Sequence, residues 1–137
     1  MFAWLRSLLT RQESFGTRGE RAAERYLVGH GYRVLRRQHR NHGGELDLIA
    51  LDGDTVVFVE VKTRSGVTHG QPIDAVNLDK QRRMTRAALV YLKREGWLDR
   101  RSRYDVIAVV WPDRESTPQI THYRNAFEPS GSGQMFA

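Results

Sequence analysis

There is no cysteine anywhere in the 137 residues. That excludes disulfides and thiolate metal sites, and it fits a cytoplasmic protein. Long apolar runs are missing too, so no segment reads as a membrane-spanning helix and no stable membrane insertion is expected. Phe2, Trp4, Leu5, Leu8 and Leu9 recur at roughly helical spacing in residues 1–16, but Arg6 breaks the run. No small-residue cleavage site follows, which argues against a signal peptide. The segment reads first as a short helix docking on the domain or a partner, second as a membrane-surface helix, third as a disordered tail. Acidic residues are in deficit: 16 Asp and Glu stand against 22 Lys and Arg, for a net charge of +6 and a pI near 10.2. That balance favours a polyanionic partner, nucleic acid ahead of an anionic membrane surface, with solubility as the bland alternative.

What is present suits one soluble domain: 39% hydrophobic and 28% charged residues in a chain too short for two comfortable domains. The expected division is a segment 1–16, a folded unit 17–127 and a loose, Gly-containing tail 128–137. No internal repeat is visible.

The working part is expected in Gly44–Arg64, GELDLIALDGDTVVFVEVKTR. Two apolar runs, Leu46–Leu51 and Thr55–Thr63, flank Asp52-Gly53, a hairpin signal. With those two residues as the turn, Leu51 pairs with Asp54, Ile49 with Val56, Asp47 with Phe58 and Glu45 with Glu60. Side-chain alternation then collects Glu45, Asp47, Glu60 and Lys62 on one face. Leu46, Leu48, Ala50, Val57, Val59 and Val61 form the other, a core face. Glu45 and Glu60 would repel, while Asp47 sits diagonal to Glu60 at roughly 7–8 Å. A magnesium ion, which takes carboxylate oxygens at about 2.0–2.1 Å, would relieve the repulsion.

Around the hairpin, the pattern predicts a helix from Arg18 to Val28. Thr17 and Glu20 have capping-box spacing, so Glu20 reads either as a cap or as an inward-facing site residue, and spacing alone favours the cap. Tyr32–Arg40 reads as a strand with a basic band of Arg33, Arg36, Arg37 and Arg40, and Asn41–Gly44 as a turn. His39, His42 and Glu45 fit no zinc template. Ser65–Pro72 reads as a polar loop. A helix from Asn77 or Leu78 to Arg94 carries Met84, Ala87, Ala88, Tyr91 and Leu92 as its apolar stripe. Lys80, Arg82, Arg83 and Arg86 crowd its first half, against the macrodipole, which suits an anionic ligand better than a solvated face. Arg103–Trp111 is a buried strand, parallel to Val56–Thr63 if the crossover is right-handed, and Ile120–Tyr123 is a short edge strand. Helix, three-stranded meander, helix and strand together make an α/β fold with a mixed sheet.

Two acidic ligands beside a lysine suit phosphodiester hydrolysis, because the scissile group is itself anionic and bare carboxylates would repel it. A divalent ion polarises the phosphoryl oxygen and acidifies a bound water. Lys62 as an ammonium has donors and no acceptor, so it serves as an electrostatic stabiliser rather than a base. The plainer reading is a surface ion-pair cluster in which Lys62 neutralises Glu60, and spacing alone leaves both open.

The motifs GTRGERAAERYL (Gly16–Leu27), GELDLIA (Gly44–Ala50), VFVEVKTR (Val57–Arg64), Lys80-Gln81-Arg82-Arg83 and RYDV (Arg103–Val106) resemble the YraN-like family of small bacterial proteins, over roughly Gly16 to Phe127. That family is similar in fold to the restriction-endonuclease-like, PD-(D/E)xK nucleases, and most closely to Holliday-junction resolvases. The resemblance implies a central mixed sheet flanked by helices, Asp47 and Glu60 as ligands for Mg²⁺ or Mn²⁺, and Lys62 as the catalytic lysine. It moves Glu20 from cap toward catalytic site, and it gives Gln81 and Glu45 supporting places. Leu46 departs from the proline of the superfamily pattern, Gln38 from an asparagine and Tyr104 from a phenylalanine.

The function expected first is a metal-dependent DNA endonuclease acting on branched or structured substrates. Arg36, Arg37, Arg40, Lys80, Arg82, Arg83 and Arg86 would meet the phosphate backbone. A resolvase-like role would call for a homodimer. The alternatives are a nucleic-acid-binding module without cleavage, and an interaction protein that docks through its N-terminal segment.

Overall fold

The first helix starts earlier than capping-box spacing suggests, and a computed structural model shows the cause. The structure describes residues 14–66, 76–113 and 116–129. Helix α1 spans Phe15–Gly29, and its cap is Ser14, whose side chain accepts from the Thr17 backbone N–H at 3.1 Å. Thr17 is therefore inside the first turn, and Glu20 is released from capping. Helix α2 runs Leu78–Glu95 between an Asn77 cap, which accepts from Lys80 N at 2.8 Å, and Gly96. These bounds lie within one residue of the predicted ones, because Asn cap and Gly stop are both strong local signals.

Five strands form one sheet: β1 (Arg33–Asn41), β2 (Gly44–Asp52), β3 (Thr55–Ser65), β4 (Ser102–Trp111) and β5 (Gln119–Tyr123). They lie in sequence order, antiparallel except for β3 and β4, which are parallel. The connection through α2 needs that exception. This is the α/β, restriction-endonuclease-like arrangement of mixed sheet and flanking helices expected from the sequence.

Each helix covers one face of the sheet. Helix α1 lays Ala22, Ala23 and Leu27 on Leu48, Val57, Val59, Val61, Ile107 and Val109. Helix α2 lays Met84, Ala87, Ala88, Tyr91 and Leu92 on Leu46, Ile49, Val56, Phe58, Tyr104 and Val106. Each large apolar side chain so buried contributes about 1.5–3 kcal/mol.

Three expectations for the hairpin need correction. The turn is Gly53-Asp54, since Asp52 pairs with Thr55, Leu51 with Val56 and Ile49 with Phe58. Gly53 takes φ +59° at the first central position, the place glycine holds in a II′ turn, and Asp52 is instead held by Arg103 at 2.8 Å and Arg124 at 3.2 Å. The face opposite the predicted core is also largely core, because α2 buries Ile49, Val56 and Phe58 there. Finally, Leu46 packs on the α2 side and Leu48 on the α1 side, so strict alternation breaks across Asp47.

The N-terminal segment to residue 13, the loop beyond Gly66 up to residue 75, and the tail from residue 130 lie outside the described residues. Among the described residues, no helix is long and apolar enough to cross a membrane.

Candidate active site

The β2–β3 pairing gives its last partners at Leu48 and Val59, and carrying that register one step further sets Asp47 opposite Glu60 rather than diagonal to it. Instead of a ladder bond, the Asp47 carboxylate takes the Val61 backbone N–H, at 2.8 Å to Oδ2. Asp47 is thereby pinned by the neighbouring strand at the point where the two strands part. Glu60 has 5% of its side chain exposed, and its Oε1 faces two ammonium groups, Lys80 Nζ at 3.4 Å and Lys62 Nζ at 3.7 Å.

Helix α1 delivers the third carboxylate. Gly19 lies directly against β3: a Cβ there would fall 1.8 Å from Thr63 Oγ1, which no real side chain could tolerate. The bare backbone lets the helix approach the strand at that turn and sets Glu20 beside Asp47, with which it lines one cavity. Gln38, from β1, donates its amide to Glu20 Oε2 at 2.9 Å. Its backbone has φ +46°, a left-handed conformation that costs a non-glycine residue about 1–2 kcal/mol. An open cavity of about 350 Å³ is lined by Glu20, Gln38, Arg40, Glu45, Leu46 and Asp47.

Carboxylates this close perturb one another. Burial raises Glu20 above its ordinary value; the Gln38 amide pulls it back, and the Asp47 carboxyl pushes it up again. In Glu60 burial acts first and Asp47 second, together pushing the group up to about 7, with Lys80 and Lys62 offsetting only part. Near pH 7 Glu60 is therefore only partly ionised. Carboxyl oxygens are also the donors that a hard divalent cation selects. Among the described residues, no group of three or more His, Cys, Asp or Glu side chains is arranged to hold an ion. Asp47 and Glu60 offer carboxyl oxygens on adjacent strands, and Glu20 lines the cavity with Asp47.

The remaining predicted residues divide. Lys80 belongs to the site itself, with its ammonium on Glu60, and is half-buried rather than displayed for backbone contact. Arg37 is paired with Glu24, Arg40 with Glu45 and Arg83 with Asp79, so part of the basic band is already engaged. Arg36, Arg82 and Arg86 are exposed. Glu45 pairs with Arg40, and both line the cavity. Gln81 Nε2 donates to the Val76 carbonyl at 3.0 Å and so secures the entry to α2.

With this geometry in view, relatives become informative. The model of the uncharacterised protein family UPF0102 matches residues 19–109, which span Glu20, Asp47, Glu60, Lys62 and Lys80. The chain belongs to UPF0102. A relative from Geobacter metallireducens is 46% identical over 116 residues, covering 85% of this chain and 93% of the relative. One from Rhodococcus jostii is 44% identical over 114 residues, covering 83% and 96%. One from Rhodopirellula baltica is 46% identical over 124 residues, covering 88% and 74%. Each is named only as a UPF0102 protein. The YraN-like resemblance carried by the sequence motifs is borne out.

The sequence reading missed two features. Gln38 drew notice only as a departure from a pattern, since a left-handed residue inside a strand leaves no mark in hydropathy. The second is a polar cluster at the α1-side end of β4. There, fully buried Asp105 binds Arg103 Nε at 3.0 Å, His122 Nε2 at 2.7 Å and the Asn125 N–H at 2.9 Å. Arg and Asp two apart on one strand share a face, so Arg103 and Asp105 in RYDV were a legible signal for it.

Proposed function

We propose that this UPF0102 protein is a divalent-metal-dependent endonuclease that hydrolyses phosphodiester bonds in DNA, with branched or structured DNA as its substrate. The carrying observation is Glu60, a buried carboxyl flanked by two lysines and set on the strand beside Asp47, which lines an open cavity. A core needs no such group, and a surface ion pair would not be buried. Asp47 and Glu60 would hold Mg²⁺ or Mn²⁺, and Glu20 would join them directly or through water. When bound, the ion supplies Lewis acidity and a water of lowered pKa. Lys62 carries fixed positive charge to the place where the phosphoryl oxygens gain negative charge. Lys80 shields Glu60 on the α2 side and, once a cation takes over that task, is free to meet a phosphate. Exposed Arg36, Arg82 and Arg86 add sequence-independent backbone affinity that weakens with salt. Symmetric cleavage of a branched substrate would use a twofold dimer presenting two sites.

The test is cleavage of linear, flapped and four-way DNA with Mg²⁺ or Mn²⁺. Wild type should cut only with the cation, and Asp47→Ala should not cut. Lys62→Ala should fall by about 10²–10³-fold, the usual loss when a donor to transition-state charge is removed. No cleavage of any substrate, or equal cleavage by the variants, overturns the catalytic reading. Salt-dependent DNA binding retained in that case would favour a non-catalytic binding module.

A further inference from the structure

We infer that Gln38 is a positioning residue of the acidic site, built into β1 with a left-handed backbone so that its amide holds the Glu20 carboxylate toward Asp47. The inference rests on the cation-site reading and deepens it. Three observations meet at this one residue. Its backbone is left-handed, φ +46°, inside a strand whose other non-glycine residues avoid that region. Its Nε2 lies 2.9 Å from Glu20 Oε2. It also faces the acidic strand: Arg37 pairs with Leu48 and His39 with Leu46, which sets Gln38 opposite Asp47. An unfavourable backbone conformation in a strand persists only where something else fixes it, and here the amide-to-carboxylate bond is at hand to do so.

The choice of an amide has a chemical reason. Arginine and lysine reach as far and donate more strongly, and β1 offers both charge and precedent: neighbouring Arg37 and Arg40 are paired with Glu24 and Glu45. A cation bonded to Glu20 would cancel the carboxylate charge and repel a metal ion. A neutral N–H donor orients the carboxylate while leaving its charge intact. Arg37 and Arg40 thus tie down Glu24 and Glu45, and the glutamine serves the carboxylate beside Asp47.

Three variants separate positioning from structure: Gln38→Leu removes the donor, Gln38→Gly removes both donor and backbone strain, and Gln38→Asn keeps an amide on a residue that tolerates the left-handed region. Mn²⁺ affinity by titration calorimetry and the urea midpoint are measured on each full-length protein, with crystal structures of wild type and Gln38→Leu. Loss of an outer-shell partner weakens metal affinity by about 10–100-fold, so Gln38→Leu and Gln38→Gly should both fall into that range. Gln38→Gly should at the same time be no less stable than wild type, a combination that a purely structural role would not give. Gln38→Asn should retain most of the affinity, and Glu20 should swing away from Asp47 in the Gln38→Leu crystal. Wild-type affinity in Gln38→Leu with Glu20 unmoved overturns the positioning role. A wild-type protein that binds no Mn²⁺ overturns the cation-site reading instead, and the place of Glu20 in the two crystals then decides the role of Gln38.

Discussion

Asp105→Ala is expected to lower the stability of the protein by about 3–5 kcal/mol, the cost of breaking a buried ion pair from one side. Asp105 is fully buried, and Arg103 beside it has 13% of its side chain exposed. The carboxylate accepts from Arg103, from His122 and from the Asn125 backbone. Arg103 in turn reaches Asp52 at 2.8 Å and the Tyr32 hydroxyl at 2.8 Å, so one guanidinium ties β4 to the β2–β3 turn and to the entry of β1. The carboxylate can only accept, so His122 Nε2 carries the proton; in the neutral ring Nδ1 then accepts from Tyr26 Oη at 3.2 Å. Removing Asp105 leaves the Arg103 guanidinium with Asp52 as its one carboxylate partner and takes the acceptor from His122 Nε2. Pairing Asp105→Asn with Arg103→Leu should cost less than the two changes summed, because the two side chains share one interaction that either change already breaks. Urea denaturation of the single and double variants checks both points. Burial by itself would raise the Asp105 carboxyl, but the bonds from His122, Arg103 and Asn125 outweigh it and hold it below its ordinary value. Its contribution is therefore present above the ordinary aspartate range and lost on strong acidification.

Glu60→Gln should do the opposite and stabilise the metal-free protein, at pH 8 but not at pH 5. The folded protein raises Glu60 from its ordinary 4.5 to about 7, through burial first and Asp47 second. Between those two values the native state holds a proton that the unfolded chain has released, so stability falls as pH rises through the window. Above pH 7 the full cost is in force, on the order of 3 kcal/mol at about 1.4 kcal/mol per pH unit. Glutamine carries no charge to bury, and the gain should vanish near pH 5, where Glu60 is protonated anyway. Urea midpoints at the two pH values, in the presence of a chelator, decide the matter; an equal shift at both would mean that Glu60 is not held under strain. A position where the native residue costs stability in the metal-free protein is one where selection for something other than folding has acted.

The elements of this fold were legible because its local signals agree with its packing. Asn77 and Gly96 bracket α2, the Met84–Leu92 stripe is the face that meets the sheet, and RYDVIAVVW has the unbroken apolar run of a strand covered on both sides. The hairpin register was not legible. Asp-Gly and Gly-Asp turns are both available in LDGDT, and the choice is made at long range by Arg103 and Arg124 on Asp52. Because the two registers differ by an even step, Asp47, Glu60 and Lys62 stayed together while the spacing between the carboxylates was misjudged. Glu20 was ambiguous for a similar reason. Thr17 and Glu20 satisfy a capping box on paper, and only Ser14 as the actual cap, with Gly19 pressed on Thr63, turns Glu20 to the site. Lys80 sits among other cations in the sequence, and nothing but tertiary proximity to Glu60 distinguishes it from Arg82 or Arg83.

The central claim is that Asp47 and Glu60 form a cation site whose proton is exchanged for a metal ion. Calorimetric titration of the metal-free protein with Mn²⁺, repeated at pH 6 and pH 8 in buffers of different ionisation heat, measures it directly. Binding should release about one proton per ion at pH 6 and far less at pH 8, with tighter apparent affinity at the higher pH. Asp47→Asn and Glu60→Gln should each abolish the binding. Mn²⁺ binding of equal strength in both variants, or none in the wild type at either pH, would contradict the account.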